Sequence, residues 1–278
     1  NNTTQNGVFN LNGGQDSTRP KTKVLRVVNS VIANNSYLSR NCCGAERSAV
    51  IFNSIISENG YDANFNEKFF RVVGSIVDND KLARQSASNK LVEPQFNNPS
   101  NSDYTLSSFS PALGMAESTY VIPGSQLNDT LNAITYDYNN ATRPNPAGTA
   151  GDVGPFESKF SLAAPQITRL QKATRAVTLT WEKPDASVSY ASIKVYRDTI
   201  RTSLDTIAPL NITVDTTKNT ITDELPNDKI YYYALKATLG TGASEIRTGL
   251  SNVKSILDTI FIPALKFESD TASFRMKS

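Results

Sequence analysis

The sequence predicts an all-β chain, with a solenoid of stacked parallel strands in its first half and a β-sandwich in its second half. A phrase of one apolar residue, a small pair and two more apolar residues occurs three times, around Ser30, Ser54 and Ser75. A repeat of about 20–25 residues is typical of solenoids, in which each repeat buries its apolar face against its neighbours. Short alternating strands separated by turn residues follow from about residue 164 and predict the sandwich.

The three repeats predict the strands of the solenoid. They are apolar on consecutive positions and span 23–33, 49–57 and 68–77. The small pair within each repeat should mark a bend between two sheets. Ser30, Ser54 and Ser75 should then stack about 4.8 Å apart, the spacing of neighbouring strands. We predict a second ladder of amide hydrogen bonds, formed by Asn34 or Asn35, Asn59 and Asn79.

Residues 92–157 depart from the repeat and are rich in Pro and Gly. Their main phrases are Val92-Glu93-Pro94-Gln95-Phe96-Asn97, Asp103-Tyr104-Thr105-Leu106, Ser110-Pro111-Ala112-Leu113-Gly114, Arg143-Pro144 and Asp152-Val153-Gly154-Pro155-Phe156-Glu157. In order and spacing they resemble the closing segment of bacterial right-handed parallel β-helix proteins, which are pectin-lyase-like and surface-anchored. Glu93 and Gly114 depart from that pattern, since both positions usually hold Asp. The resemblance implies that 1–160 is the end of such a β-helix, its last rungs plus an irregular C-terminal cap, with further rungs upstream.

Asp152 and Glu157 form the carboxylate pair that invites a catalytic interpretation. Two nearby carboxylates can divide acid and base work between them. The β-helix resemblance instead implies that both belong to turns of the cap. We therefore predict a structural role for Asp152.

The second half resembles a fibronectin type III domain over 161–256. The alternating run 176–181 ends in Trp181, the only Trp, which matches the core Trp of the second strand of that family. Leu225-Pro226 and Tyr231 match its tyrosine corner, in which the hydroxyl of Tyr231 would bond back to the backbone. The cluster 231–233 is either strand packing or a platform on which glycans stack.

Residues 257–278 are predicted to be a linker or the first strand of a further domain. The stretch 264–269 resembles the opening strand of a laminin-G or concanavalin-like jelly roll. Five Asp-Thr-apolar triplets resemble the acceptor pattern of a bacterial O-glycosylation system, although Asp-Thr is also common at strand ends. The candidate modified residues are Thr130, Thr199, Thr206, Thr259 and Thr271.

Composition limits the function classes that the chain can serve. The sequence has no His, which removes the commonest general base and metal ligand, and its formal net charge is +2. Nucleic acid is therefore not predicted as a partner, because that function needs clustered Lys and Arg. No run of about 18 apolar residues exists, so we predict no membrane-spanning segment. Adjacent Cys42 and Cys43 are either small turn residues, a strained vicinal disulfide or, least favoured, a redox pair.

These observations favour a secreted or cell-surface multidomain protein of a Gram-negative bacterium. We expect this segment to be non-catalytic and to act as an adhesin, stalk or carbohydrate-contacting scaffold, with surface glycans or other cell-surface or secretion components as partners. One alternative is the accessory C-terminal part of a β-helix polysaccharide lyase or glycoside hydrolase whose active site lies in upstream rungs. Another is a secretion cargo with the second domain as spacer. No cofactor is predicted; Ca²⁺ stays an open alternative that no specific motif supports.

Overall fold

The chain is all-β in the computed structural model. The residues that the structure describes are 24–38, 48–61, 65, 67, 70–123, 129–184, 188–226, 229–240 and 245–257. In this part of the chain the one α-helix is the single turn α1 (Asp80–Ala83). No helix within these ranges is long and apolar enough to cross a membrane.

Seven short strands make up the first part of the fold. They are β1 (Val24–Val28), β2 (Val31–Ala33), β3 (Ser48–Phe52), β4 (Ile55–Ser57), β5 (Phe70–Val73), β6 (Ile76–Val77) and β7 (Lys90–Leu91). They form two sheets of parallel strands, in the orders β1-β3-β5 and β2-β4-β6-β7. Each predicted repeat is therefore divided between two sheets, and the chain passes from one to the other at the small pair. β7 adds a partner to the second sheet beyond the third repeat.

The change of sheet requires a left-handed backbone at the first residue of each small pair. Asn29, Asn53 and Gly74 have φ angles of 46°, 51° and 61°. Asn tolerates this region better than most residues, and Gly adopts it without steric cost. At Gly74 a Cβ would also lie 2.7 Å from the side-chain oxygen of Asn53, so Gly is required for space as well.

The consecutive apolar residues of the second and third repeats are buried on both faces of their sheets. Ala49 and Ile51 of β3 belong to the core shared with the second sheet. Val50 and Phe52 of the same strand pack outward against Leu131. Leu131 lies in an antiparallel strand pair of segment 92–157. Strands covered on both faces carry continuous apolar runs rather than alternating ones.

Segment 92–157 covers these sheets with short antiparallel pairs and turns. Its strands are β8 (Phe96–Asn98), β9 (Asp103–Leu106), β10 (Thr119–Val121) and β11 (Thr130–Asn132), which pair as β8-β9 and β10-β11. Ala112 and Val153 of this segment pack on Ile55 and Ile76 of the second parallel sheet.

The second part consists of two antiparallel sheets. Their strands are β12 (Gln166–Ala173), β13 (Ala176–Glu182), β14 (Ser192–Asp198), β15 (Thr220–Glu224), β16 (Ile230–Leu239), β17 (Ile246–Arg247) and β18 (Lys254–Leu257). One sheet has the order β12-β13-β15; in the other, β16 pairs with β14, β17 and β18. Both sheets contribute to one core, in which Leu179 and Trp181 meet Val195 and Leu235.

The two parts are in direct contact. The Ser108 hydroxyl donates to the carbonyl of Leu250, and the Ala164 N–H donates to the carbonyl of Ser108 at 2.9 Å. Gly249 lies so close to Phe160 that a Cβ there would come within 2.8 Å of its ring.

Candidate functional site

The three repeat serines form a hydrogen-bonded ladder. The backbone N–H of Ser30 donates to Ser54 Oγ at 3.0 Å, and the N–H of Ser54 donates to Ser75 Oγ at 3.1 Å. Each hydroxyl in turn donates to the carbonyl two residues before it, at 2.9 Å. Asn89 Oδ1 continues the ladder by accepting from the Ser75 N–H at 3.1 Å. The hydroxyls thus satisfy backbone groups at the bend, and none is left free to act as a nucleophile.

The predicted asparagine ladder is correct for two members and wrong for the third. Asn35 Nδ2 donates to Asn59 Oδ1 at 2.8 Å. Next in the ladder is Asp78, whose Oδ2 accepts from the Asn59 N–H at 3.0 Å. Asn79 instead caps helix α1 by accepting from the Lys81 N–H. The helical turn that starts after Asn79 takes its side chain away from the stack.

The predicted carboxylate pair belongs to a buried polar network in segment 92–157. Arg143 Nε lies 2.9 Å from Glu157 Oε2, and the two side chains are 3% and 0% exposed. Arg143 also donates to the carbonyls of Gly154, at 2.9 Å, and Asp152. Glu157 accepts from the N–H groups of Asn145 at 2.8 Å and Asp152 at 3.0 Å.

Asp152 is fully buried and accepts two backbone hydrogen bonds. Its Oδ1 receives the N–H of Gly114 at 2.8 Å and its Oδ2 that of Ser158 at 2.7 Å. Burial, and then the charge of Glu157, raise the pKa of Asp152 to about 7, against the two N–H groups and Arg143. Gly114 has a φ of 61° and contributes its backbone N–H as the donor to Asp152.

Asp137 is a member of the network that the sequence did not reveal. Its Oδ1 accepts from the N–H groups of Asn139 and Ala141 at 2.8 and 2.7 Å, and its Oδ2 accepts from that of Glu157 at 3.0 Å. The sequence signal would have been an Asp inside an otherwise uncharged, Asn-rich loop.

This network is built to hold turns together. Every carboxylate oxygen of Asp152, Glu157 and Asp137 accepts at least one hydrogen bond from the backbone. The Arg143 guanidinium is paired with Glu157 and donates to two backbone carbonyls. A general acid or base needs a face open to substrate, and these groups have none. Within the described ranges, no three His, Cys, Asp or Glu side chains converge in a way that could hold a metal ion.

The predicted residues of the antiparallel part lie in its core. Trp181, Tyr231 and Tyr233 are 2%, 5% and 0% exposed, and Tyr232 is half-buried. The Arg197 guanidinium lies 5.2 Å from the ring centre of Tyr231. A glycan platform at 231–233 is therefore wrong, because two of the three rings face inward; strand packing is correct.

Tyr190 and Tyr233 make hydroxyl hydrogen bonds within the antiparallel part. Tyr190 donates to the carbonyl of Ala163 at 2.8 Å, and Tyr233 donates to Asp223 Oδ2 at 2.7 Å. Burial raises the pKa of both phenols. The corner bond proposed for Tyr231 stays a prediction.

Three of the glycosylation candidates are exposed, namely Thr130, Thr199 and Thr206. Their neighbouring aspartates have local partners. Asp198 ends β14 and accepts from the Thr199 N–H at 2.6 Å and the Ser203 hydroxyl, which lowers its pKa, with the Ser203 bond as the largest cause. Asp205 pairs with Lys236 at 2.6 Å. Thr259, Thr271, Cys42, Cys43 and segment 258–278 lie outside the described residues.

Comparison with known proteins identifies no family. No protein-family model matches the chain, and no curated protein matches it. Among solved structures, a β-1,2-glucanase from Parabacteroides distasonis superposes on 38% of this chain with 20% identity and a TM-score of 0.27. The aligned part of the chain spans 14% of that glucanase. A likeness this weak carries no argument about fold or function.

Proposed function

We propose that this chain is a non-catalytic segment of an extracellular bacterial surface protein. In this proposal, 1–160 is the end of a right-handed parallel β-helix with its cap, and 161–256 is a fibronectin type III β-sandwich. The segment acts as a scaffold, as in an adhesin, stalk or carbohydrate-contacting surface. Parallel in-register rungs with a serine ladder, and the strand orders of the two antiparallel sheets, support these domain assignments.

One observation carries the functional half of the proposal. The buried acid and base groups of segment 92–157 are all committed to backbone hydrogen bonds, as Arg143, Asp152 and Glu157 illustrate. Such a cluster stabilises irregular turns over the apolar end of stacked sheets, which would otherwise expose an apolar face. The hydrogen-bond geometry of this cluster is that of a rigid structural element.

Whether this segment is itself catalytic is tested directly on the 278-residue chain. The purified chain is incubated with polygalacturonate, alginate and a neutral β-glucan, and release of reducing ends and of unsaturated products is measured. We expect no release above that of a heat-denatured sample. Product formation that is lost on unfolding the chain would overturn the non-catalytic assignment.

Location is tested on cells of the source organism. Antibodies against this segment should label intact cells or the culture medium, and protease added to intact cells should remove the label. Labelling only after lysis would contradict an extracellular location.

The same preparation tests glycosylation. Mass spectrometry of the native protein should find sugar on the exposed residues Thr199 and Thr206, and variants with Val at these positions should lack it. Unmodified peptides covering both residues would refute it.

A further inference from the structure

The surface of segment 130–156 presents no charged side chain. Its three charged residues, Asp137, Arg143 and Asp152, are 7%, 6% and 0% exposed. Charged residues are normally found at the surface and buried only when paired. Here all three charged side chains of the segment are buried in the polar network. The outer face is left to aromatic, amide and hydroxyl groups.

Two tyrosines dominate that face. Tyr136 and Tyr138 are 59% and 77% exposed, and buried Asp137 lies between them. Tyr136 is bridged to Thr142 in antiparallel fashion, and the turn between them begins at Asp137, whose carbonyl accepts from the Asn140 N–H at 3.0 Å. The side chain of Asp137 is buried while those of Tyr136 and Tyr138 on either side are exposed. Both rings therefore project outward, away from the buried network, as does Ile134, which is 39% exposed.

The loop that carries the rings is held rigidly. The side chain of Asp137 holds the turn that follows it, by accepting hydrogen bonds from the N–H groups of Asn139 and Ala141. The N–H of Tyr138 donates to the carbonyl of Pro155 at 2.8 Å, and its ring meets Phe156 edge to face at 5.7 Å. Such preorganisation lowers the ordering cost that a ligand must offset on binding.

Polar groups suited to hydroxyl recognition surround the rings. Exposed amides and hydroxyls of the same loop are Asn139, Asn140, Thr142 and Asn145. Amides both donate and accept hydrogen bonds. Sugar rings offer C–H faces that pack on the negative face of an aromatic ring, and their hydroxyls match amide groups.

We propose that Tyr136 and Tyr138 form a stacking platform for a neutral polysaccharide. This deepens the proposed function and rests on it only in placing the segment where such polymers occur. The absence of exposed charge in 130–156 selects the ligand class. Single-stranded nucleic acids also stack on aromatic rings but need a cationic groove, and acidic polysaccharides would likewise find no exposed cation within 130–156.

The test is native gel electrophoresis of the full 278-residue chain in gels containing mixed-linkage β-glucan, xyloglucan, galactomannan or polygalacturonate. We expect at least one neutral polymer to retard the chain and polygalacturonate to leave it unretarded. Tyr136→Ala and Tyr138→Ala should each weaken the interaction about tenfold, the effect of about 1.4 kcal/mol. The Tyr→Phe variants should retain most of it, since the rings remain.

Ile200→Ala serves as the matched control, because Ile200 is 59% exposed but lies in the antiparallel part. Because Tyr138 packs on Phe156, removing its ring could also destabilise the fold, and a thermal melt of each variant detects this. Tyr136→Ala tests the platform without disturbing that contact. Retardation by none of the neutral polymers, or equal retardation of the Tyr136→Ala/Tyr138→Ala variant, would overturn the platform. So would light scattering that shows a tyrosine-dependent dimer covering both rings. None of these results bears on whether the protein is at the cell surface, which antibody labelling decides separately.

Discussion

Replacing Arg143 by Met should destabilise the first part of the fold strongly. The change leaves the buried carboxylate of Glu157 without its cation. It also removes the guanidinium donors to the carbonyls of Gly154 and Asp152. Removing one partner of a buried ion pair typically costs about 3–5 kcal/mol, because the other charge remains in a medium of low polarity. We expect Arg143→Met to lower the free energy of unfolding by about that amount.

Arg84→Met is the matched control. Arg84 and Asp80 form an ion pair at 2.6 Å, shorter than the 2.9 Å of Arg143 and Glu157, but their side chains are 77% and 56% exposed. Exposed pairs are worth about 0–1 kcal/mol. If burial rather than distance decides the energy, the two variants should differ by several-fold in their cost.

The assay is urea denaturation followed by two signals. Trp181 is the only Trp and lies in the antiparallel core, so its fluorescence reports on the second part. Far-ultraviolet circular dichroism reports on both parts. Arg143→Met should move the dichroism transition to lower urea and leave the fluorescence transition less affected. A cost within about 1 kcal/mol of that of Arg84→Met would refute the reasoning.

Three further predictions are tested by denaturation. Asp152 has a pKa of about 7 in the folded state against about 3.9 in the unfolded state, so the native state binds this proton more tightly. The free energy of unfolding should therefore fall as pH rises from 4 to 7, by an amount on the order of 4 kcal/mol. Asp152→Asn should flatten this dependence on pH. Gly74→Ala should cost more than Gly148→Ala, because both have positive φ (61° and 84°) but only Gly74 lacks room for a Cβ; equal costs would show that space is irrelevant. Ser54→Ala should cost about 1–3 kcal/mol by leaving the Ser30 N–H unpaired; an unchanged midpoint would count against the ladder.

The repeat could be read from the sequence because its physical cause is local. A period of about 20–25 residues and consecutive apolar positions specify stacked parallel strands that are buried on both faces. The bend was also predicted, at the small pair, and the structure supplies its physical cause: Asn29, Asn53 and Gly74 belong to the few residue types that accept positive φ. The alternating strands of the second half follow from period two in the same local way.

The network of Arg143, Glu157 and Asp137 could not be predicted from the residues alone. Its members meet through irregular turns, for which no periodicity relates sequence position to direction. Asn79 shows the same limit on a smaller scale, because the stack passes to Asp78 once a helical turn begins. The two alternatives at 231–233 stayed open for a different reason, because adjacent tyrosines do not reveal which of them face the core.

The buried network and the exposed rings are two consequences of one arrangement. An irregular segment has few ladder hydrogen bonds, so its turns need side chains that accept several N–H groups, and carboxylates do so best. Those carboxylates are stable inside only with a cation, which Arg143 supplies. Drawing all these charges inward leaves the outer side of 130–156 neutral. Asp137 is buried in the network, and its neighbours Tyr136 and Tyr138 are exposed on the outer side. The neutrality of the surface is thus the outcome of how the segment is held together.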